Sequence, residues 1–344
     1  MKQEAAAIIA AMPKVELHLH LEGAFTFDFL FDLIEKYGGD PSVKNRRDLE
    51  QRFVFRDFPH FIETWIWKNR YFRAPEDFEN STYHTLRQLH EHHVLYVEAY
   101  YSPWDFSGNG VAVEAITEAN LSAIRRARSD FGIGCALIAD INRDLGWETG
   151  IERLKQIIPF RQAGVIGIGL GGSEQSFPAE PFQQVYRRAK ELGFHRVAHA
   201  GEAAGPESVW AAIESLHVER IGHGVRAAED AKLIDYLRES QLPLEVCAGS
   251  NMKTGVYKTL RDHPAKFLFE QGLCVTIHSD DPAMFGAWIT DEFSMLHKGL
   301  DFSLEDIRRL SLNSANAAFL SPGDKAQLIA RMNQFWEPLQ HQPA

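Results

Sequence analysis

The stretch PKVELHLHLEG, residues 13–23, contains two histidines, His18 and His20, one residue apart in a short apolar run. Residues i and i+2 of a strand point to the same side, so both imidazoles face one way, and Glu22 continues the alternation. A lone H-x-H is weak evidence, because such pairs occur by chance as solvated residues at a strand end. The meaning of this pair therefore depends on what the rest of the chain places beside it.

The same kind of apolar, β-branched run recurs along the chain, each time followed by a polar or glycine-containing tip and a helical pattern. The runs span residues 14–21, 95–103, 132–141, 164–172, 195–202, 220–224, 243–250 and 274–282. Amphipathic stretches lie between them, as at 112–128, 181–193 and 228–240. Alternating strands and helices form parallel sheets, and eight such units predict an α/β fold of the TIM (β/α)8 barrel type. A doubly wound open sheet is the alternative, but it normally has a glycine-rich phosphate loop after its first strand, where this chain has histidines.

Residue types that ligate metals collect at the tips of these runs, where the active site of a TIM barrel lies. The tips carry His18 and His20, His199 and Glu202, His223, and Asp280 and Asp281. Three imidazoles and one carboxylate suit zinc, a borderline-soft cation. A catalytic zinc keeps a position for water and lowers the pKa of that water toward 7. The remaining acids and bases beside it indicate metal-assisted hydrolysis.

Residues 24–90 depart from the repeating pattern, because they are far longer than one crossover helix. They are dense in aromatic residues, as in FVFRDFPHFIETWIWKNRYF at 53–72. We expect a single barrel domain over residues 1–344, with additional helices inserted after strand 1. The inserted helices can pack on the barrel, form a lid over its mouth, or do both.

The bulk composition excludes several classes of partner. A net charge of −11 argues against nucleic acid, which requires a basic surface, and weakly disfavours a phosphorylated substrate. Cys135, Cys247 and Cys274 are far apart in apolar runs, which is typical of reduced cytoplasmic thiols. No signal peptide is recognised at the N-terminus, and no run approaches the ~20 apolar residues of a membrane span. We expect a cytoplasmic protein that acts on a small molecule, without a nucleic-acid or membrane partner.

Five motifs, in this order and spacing, resemble the adenosine deaminase family of the amidohydrolase superfamily. They are PKVELHLHLEG, VAHAGEAAGPESVWAAI, ERIGHGVRA, LEVCAGSNMKTG and VTIHSDDPAMFG, and the resemblance extends from Pro13 to about Ala317. It implies a zinc-dependent hydrolytic deaminase of an adenine nucleoside, with one zinc ion per chain. The signature of the cytidine-deaminase type of zinc enzyme, H-x-E with P-C-x-x-C, is absent.

The resemblance also implies a role for each motif residue. The implied zinc ligands are His18, His20, His199 and Asp280. Protonated Glu202 donates to purine N1, His223 orients or deprotonates the attacking water, and Asp281 forms a hydrogen bond at N7. The implied substrate contacts also include His20, Glu22 and the backbone amide of Gly172, which faces N3. Protonation at N1 makes C6 electrophilic, and an enclosed site raises the pKa of a carboxyl group toward neutrality.

Departures from the family pattern bear on the substrate. Glu22 stands where adenosine deaminases carry the aspartate that binds the ribose 5′-hydroxyl, and adenine deaminases share this glutamate. Gly169 and Ser173 replace acidic residues at the fourth tip, GLGGSE, so we expect a looser N3 side. In contrast, YYSP at 100–103 and SNMKTG at 250–255 resemble the nucleoside deaminases.

We therefore expect adenosine or a 5′-modified adenosine as the substrate. The first alternative is aminodeoxyfutalosine, whose bulky 5′ aryl extension the aromatic segment 53–72 could hold, and the second is free adenine. Alternatives of other classes are a metal-binding barrel without activity and a phosphoester or amide hydrolase on the same barrel. The set of Glu202, His223 and Asp281 beside the metal disfavours the former. The latter, as a two-metal enzyme, would rely on Glu174 at the fourth tip.

Overall fold

The computed structural model describes residues 2–56 and 58–340, and these residues contain one sheet of eight parallel strands in the order β1 to β8. The strands are β1 (Lys14–His20), β2 (Val94–Tyr101), β3 (Gly134–Asn142), β4 (Val165–Gly171), β5 (His195–Ala200), β6 (Arg220–His223), β7 (Leu244–Val246) and β8 (Val275–Ile277). Every strand pairs with its sequence neighbour. The predicted α/β class and TIM barrel are confirmed.

Helices follow the strands and surround the sheet. Within the described residues they are α1 (Lys2–Ala11), α2 (Phe27–Lys36), α3 (Arg46–Arg52), α4 (Phe58–Asn69), α5 (Pro75–Glu91), α6 (Val113–Phe131), α7 (Gly146–Ile157), α8 (Gln183–Glu191), α9 (Pro206–Ala211), α10 (Ala231–Ser240), α11 (Ala248–Lys253), α12 (Ala265–Glu270), α13 (Pro282–Phe285), α14 (Ile289–Gly299), α15 (Leu304–Ala317) and α16 (Pro322–Gln340). The three helices predicted between strands are therefore present as α6, α8 and α10. Their boundaries differ from the prediction by a few residues.

The barrel closes between β8 and β1 through the segment just after β8. The amide of His20 donates to the carbonyl of Asp280 at 2.9 Å, and the amide of Asp280 donates to the carbonyl of His18 at 2.9 Å. These two bonds form the bridge between Leu19 and Asp280. The ends of the first and last strands are thereby held side by side.

Two of the predicted runs are longer than the strands that they contain. The runs at 243–250 and 274–282 include only three strand residues each, and the chain then turns into α11 and α13. In α11 the small buried residues allow close packing: the amide of Gly249 donates to the buried carboxylate of Glu292, at 3.0 and 3.1 Å from its two oxygens. The apolar character of this run therefore reflects burial of a short helix, not a longer strand.

The inserted segment contains α2, α3, α4 and α5, as the prediction of additional helices after strand 1 requires. Its aromatic residues form one apolar cluster, which also includes Phe106 and the α13 residues Met284 and Phe285. The ring of Phe61 stacks on Phe285 with centroids 5.7 Å apart. Because α13 follows β8 directly, the inserted helices pack beside the C-terminal mouth of the barrel.

A network of fully buried charges occupies the barrel interior below the mouth. The guanidinium of Arg220 donates to Glu98 and to Glu245, each at 2.5 Å, and all three side chains have no exposed surface. The cation offsets the cost of burying two carboxylates, which would be several kcal/mol for an unpaired ion. In the described part of the chain, no helix combines the length and apolarity that crossing a bilayer requires.

Candidate active site

Histidines from two strands converge at the mouth of the barrel. His18 and His20 lie at the end of β1 and His199 lies at the end of β5, and the three offer ring nitrogens within 4.8 Å of one another. The Nε2 atoms of His20 and His199 are 3.2 Å apart. The two residues of the H-x-H motif therefore do face the same space, together with the histidine predicted from the HAGE motif.

The carboxylate of Asp280 completes this group from the end of β8. Its Oδ1 atom lies 3.4 Å from Nε2 of His20 and 3.6 Å from Nε2 of His18. Asp280 and His223 both adopt positive φ angles, each of 60°. Such a conformation is uncommon for residues with a side chain and is often stored at functional sites. In both residues this conformation occurs where the chain leaves the strand and turns at the mouth.

Buried carboxylates orient the histidines from behind. The Nδ1 atom of His18 lies 2.8 Å from Oε2 of Glu245, which also accepts a hydrogen bond from the hydroxyl of Tyr100 at 2.9 Å. This arrangement places the proton of His18 on Nδ1 and turns the lone pair of Nε2 into the mouth. Glu245 in turn is held by Arg220, so the interior network sets the orientation of a mouth residue.

The donor set fits a divalent cation. Burial lowers the pKa of His18, His20 and His199, so the imidazoles are neutral and keep free lone pairs. The buried Nε2 atom of His18 has no hydrogen-bond partner in the described part of the chain. Three neutral imidazoles with one carboxylate are the ligand chemistry of a catalytic zinc site. His18, His223 and Asp280 form a second, overlapping group of possible ligands.

Glu202 and His223 lie together next to the histidine group. Oε2 of Glu202 is 3.5 Å from Nε2 of His223. The side chain of Asn251 contacts both residues, at 3.4 Å from Oε1 of Glu202 and 3.2 Å from Nδ1 of His223. Burial, and secondly the charge of Glu174, raise the pKa of Glu202 to about 7. Glu202 can therefore carry a proton near neutral pH.

The carboxylate of Glu174 holds the turn that carries Glu202. It accepts hydrogen bonds from four consecutive backbone amides, those of Gly201, Glu202, Ala203 and Ala204, at 2.5–3.1 Å. Both of its oxygens are used in this way, which disfavours the two-metal alternative. In the sequence, Glu174 stands out only as an acidic residue at the fourth tip. That it faces backbone amides is visible only in the fold.

Glu22 and Asp281 lie on the side of the mouth formed by β1 and β8. Oε1 of Glu22 accepts a hydrogen bond from the amide of Ser102 at 2.8 Å, while the buried Oδ1 of Asp281 has no partner among the described residues. Gly23 packs directly against the carboxyl group of Asp281, and a Cβ atom there would overlap it. This contact explains why glycine ends the first motif.

The inserted helix α4 contributes a buried lysine that sequence analysis missed. Lys68 has no exposed surface, and its Nζ lies 4.0 Å from the ring centre of Trp65 and donates to Asn69 at 2.7 Å. Burial lowers its pKa to about 8, while the carboxylates of Glu22 and Asp281 act in the opposite direction. Lys68 therefore partly neutralises the acidic side of the mouth. The aromatic residues around Lys68 predicted apolar packing of the helix, and did not indicate a buried cation that compensates acidic side chains.

Glycine at position 169 does not leave open space beside β4, and the looser N3 side stays a prediction. Gly172 adopts a left-handed conformation, with φ at 98°. The room that glycine leaves at position 169 is filled by neighbouring strands, because a Cβ there would lie 2.5 Å from Oδ1 of Asp140 and 2.8 Å from Cε1 of Tyr100. An acidic group is thus present beside β4, but β3 supplies it.

A (β/α)8 barrel with a group of possible metal ligands at its C-terminal mouth is typical of hydrolases of the amidohydrolase type. The model of the adenosine deaminase family matches residues 13–335. The chain therefore belongs to the adenosine deaminase family and is a hydrolytic aminohydrolase.

Similar proteins include two deaminases with different substrates. The chain is 35% identical to the adenine deaminase of Crocosphaera subtropica, over 93% of this chain and 98% of the relative. It is equally, 35%, identical to the aminodeoxyfutalosine deaminase of Streptomyces avermitilis, over 96% and 92%. Among solved structures, an amidohydrolase from Burkholderia ambifaria with bound Zn superposes with a TM-score of 0.88 at 25% identity, over 98% and 95% of the two chains.

We expect Glu174→Gln to lower the kcat of ammonia release at least tenfold while leaving metal content unchanged. The amide oxygen can accept only part of the four hydrogen bonds, so the turn that carries Glu202 shifts. Glu207→Gln is the matched control, because this nearby exposed carboxylate accepts one amide, that of Gly205 at 3.0 Å. Equal activity of the two variants would contradict the role of Glu174.

Proposed function

We propose that the protein is a zinc-dependent deaminase that converts adenosine, or an adenosine modified at the 5′ position, to the 6-oxopurine nucleoside and ammonia. The observation that carries this proposal is a row of carboxyl groups beside the mouth. Glu22 follows β1, Asp105 follows β2 and Asp140 lies near the end of β3. Ser102 joins two of these residues, because its amide donates to Glu22 at 2.8 Å and its hydroxyl lies 3.5 Å from the carbonyl oxygen of Asp140. Burial, and secondly the charges of neighbouring acids, raise the pKa of Glu22 to about 7 and that of Asp140 to about 8.

In this proposal zinc is held by His18, His20, His199 and Asp280. When bound, a zinc ion would supply a positive charge that lowers the pKa of water, so that water can lose a proton near neutral pH. His223 lies within 3.8 Å of Asp280, and in this position it orients the attacking water or accepts its proton. The Asn251 side chain holds the ring of His223 from the opposite nitrogen.

Glu202 donates the proton that activates the purine ring. A proton at N1 withdraws electron density from C6, so that water can attack there. The geometry suits this step, because Glu202 lies beside His223 and is held by Glu174 and Asn251. Asp281, with its unpartnered Oδ1, binds at N7, and Gly172 offers its amide to N3.

The order of these groups around the mouth sets the orientation of the base. Glu202 follows β5, Gly172 follows β4 and Asp281 follows β8. Atoms N1, N3 and N7 of a purine follow one another around the ring with N9 between N3 and N7. The N9 substituent therefore faces the ends of β3, β2 and β1, where the carboxyl groups lie.

Hydroxyl groups are the partners that such carboxyl groups require, because buried carboxyl oxygens need hydrogen-bond donors. A ribose offers several donors, whereas the N9–H of free adenine offers one. Aminodeoxyfutalosine is the second candidate substrate. The aromatic cluster of the inserted segment and the similarity to the Streptomyces enzyme favour it. In either case we propose that the inserted helices cover the N9 side as a lid.

The cysteines fit the proposed cytoplasmic location. Cys135, Cys247 and Cys274 are free thiols. Burial raises the pKa of all three thiols, so they are protonated and unreactive.

We expect Glu202→Gln to lower kcat by about 10²–10⁴, the usual loss when an acid–base group is removed, while the metal stays bound. Because the pKa of Glu202 is raised to about 7, its proton is present below that pH. The kcat/KM of the wild type should accordingly fall as the pH rises above 7. A variant within tenfold of wild type would remove Glu202 from the mechanism.

Ammonia release from adenosine, 5′-deoxyadenosine, aminodeoxyfutalosine and adenine tests the substrate. We expect the wild type to prefer a nucleoside, and Glu22→Ala to lower kcat/KM for adenosine by about one to two orders of magnitude, the cost of one unpaired hydroxyl. The same variant should affect 5′-deoxyadenosine much less. A preference for aminodeoxyfutalosine over adenosine would select the second candidate. Faster turnover of adenine than of every nucleoside would contradict the proposed function.

A further inference from the structure

Asp140 is a buried acid that the mechanism above does not use. It is the last residue but two of β3, and 7% of its surface is exposed. Its Oδ1 atom is buried and has no hydrogen-bond partner in the described part of the chain. An unpartnered carboxyl oxygen in a polar mouth is costly unless a ligand supplies a donor.

The neighbouring strand places its backbone, and no side chain, against this carboxyl group. Asp140 pairs with Gly169 in the sheet, and a Cβ atom at Gly169 would lie 2.5 Å from its Oδ1. A Cβ atom at Gly171 would overlap its other oxygen. The two glycines of β4 therefore form a bare backbone cradle, against which the carboxyl group rests without a side-chain partner.

Asp140 lies on the N3 side of the proposed purine position. It lies near the end of β3, which pairs with β4, and Gly172, the residue proposed to contact N3, directly follows β4. Glu22 lies instead at the end of β1, which is joined to the β8 side where Asp281 meets N7. The two acids thus flank the N9 substituent from opposite sides.

The sugar of a nucleoside has different hydroxyls on these two sides. When the base is anti, C8 lies over the ring oxygen and C5′, whereas N3 lies on the side of C2′. A group beside N7 and C8 therefore meets the 5′ substituent, and a group beside N3 meets the 2′-hydroxyl. A carboxyl group keeps an acceptor oxygen in either protonation state, so it can bind this hydroxyl.

We propose that Asp140 accepts a hydrogen bond from the 2′-hydroxyl of the bound nucleoside and makes the enzyme select ribonucleosides over 2′-deoxyribonucleosides. This inference rests on the proposed nucleoside function. In this inference the two carboxyl groups bind different hydroxyls: Glu22 binds at the 5′ position and Asp140 binds at the 2′ position. Residues that hydrogen-bond a substrate hydroxyl discriminate strongly against the analogue that lacks it.

The test compares kcat/KM for adenosine and 2′-deoxyadenosine in the zinc-loaded wild type, Asp140→Ala and Asp140→Asn. We expect the wild type to prefer adenosine by about 10- to 100-fold. Asp140→Ala should lose this preference by losing activity on adenosine alone, and Asp140→Asn, which keeps one acceptor oxygen, should keep part of it. Zinc content and the far-ultraviolet circular dichroism of each variant establish that it is folded.

Glu22→Gln is the matched comparison, because it should reduce the preference for adenosine over 5′-deoxyadenosine but keep the preference for the 2′-hydroxyl. Equal turnover of both substrates by the wild type would overturn the assignment of Asp140 while the nucleoside function stands. Equal losses on both substrates in Asp140→Ala and Asp140→Asn would also overturn it. An enzyme that deaminates adenine but neither nucleoside would overturn the proposed function and this inference together.

Discussion

Two backbone hydrogen bonds between Asp280 and the residues His18 and His20 close the barrel, and this closure fixes the positions of these three residues at the mouth. They bring the first and last strands together at the residues that carry the imidazoles and the carboxylate. Three of the four candidate metal ligands therefore lie on the seam of the barrel, and His199 faces them from β5. A change that loosened the seam would alter the fold and the site together, because no flexible loop separates them.

Buried carboxylates also fix the positions of residues at the mouth. Glu245 fixes the ring of His18 from inside the barrel, and Glu174 fixes the turn of Glu202 from β4 through four amides. Each of these acids has a buried donor set of its own, so its charge is compensated where it lies. By contrast, Asp140 and Asp281 each have a buried oxygen without a partner in the described part of the chain. The structure thus separates acids whose oxygens accept from protein donors from acids with an oxygen that lacks such a donor.

The ligand-type residues could be predicted from sequence because each stands at the tip of an apolar run, and the tips of parallel strands meet at one end of a barrel. The partners of those residues could not be predicted in the same way. Glu245 lies within the seventh run and Lys68 within an aromatic helix, where local patterns indicate only burial. At Gly169 the sequence indicated only that an acidic residue of the family pattern is missing. In the structure, Asp140 on the neighbouring strand occupies the space beside this glycine. Such an exchange between strands is visible only when the register of the sheet is known.

The most direct test of this account is a crystal structure of the zinc-loaded protein with purine riboside, whose hydrated form carries a hydroxyl on tetrahedral C6. Anomalous scattering at the zinc edge would count the metal ions and locate them. We expect one zinc per chain within bonding distance of His18, His20, His199 and Asp280. We also expect Glu202 at N1 and the ribose between Glu22 and Asp140. Two metal ions, or a base turned so that the ribose points toward Glu202, would contradict this account.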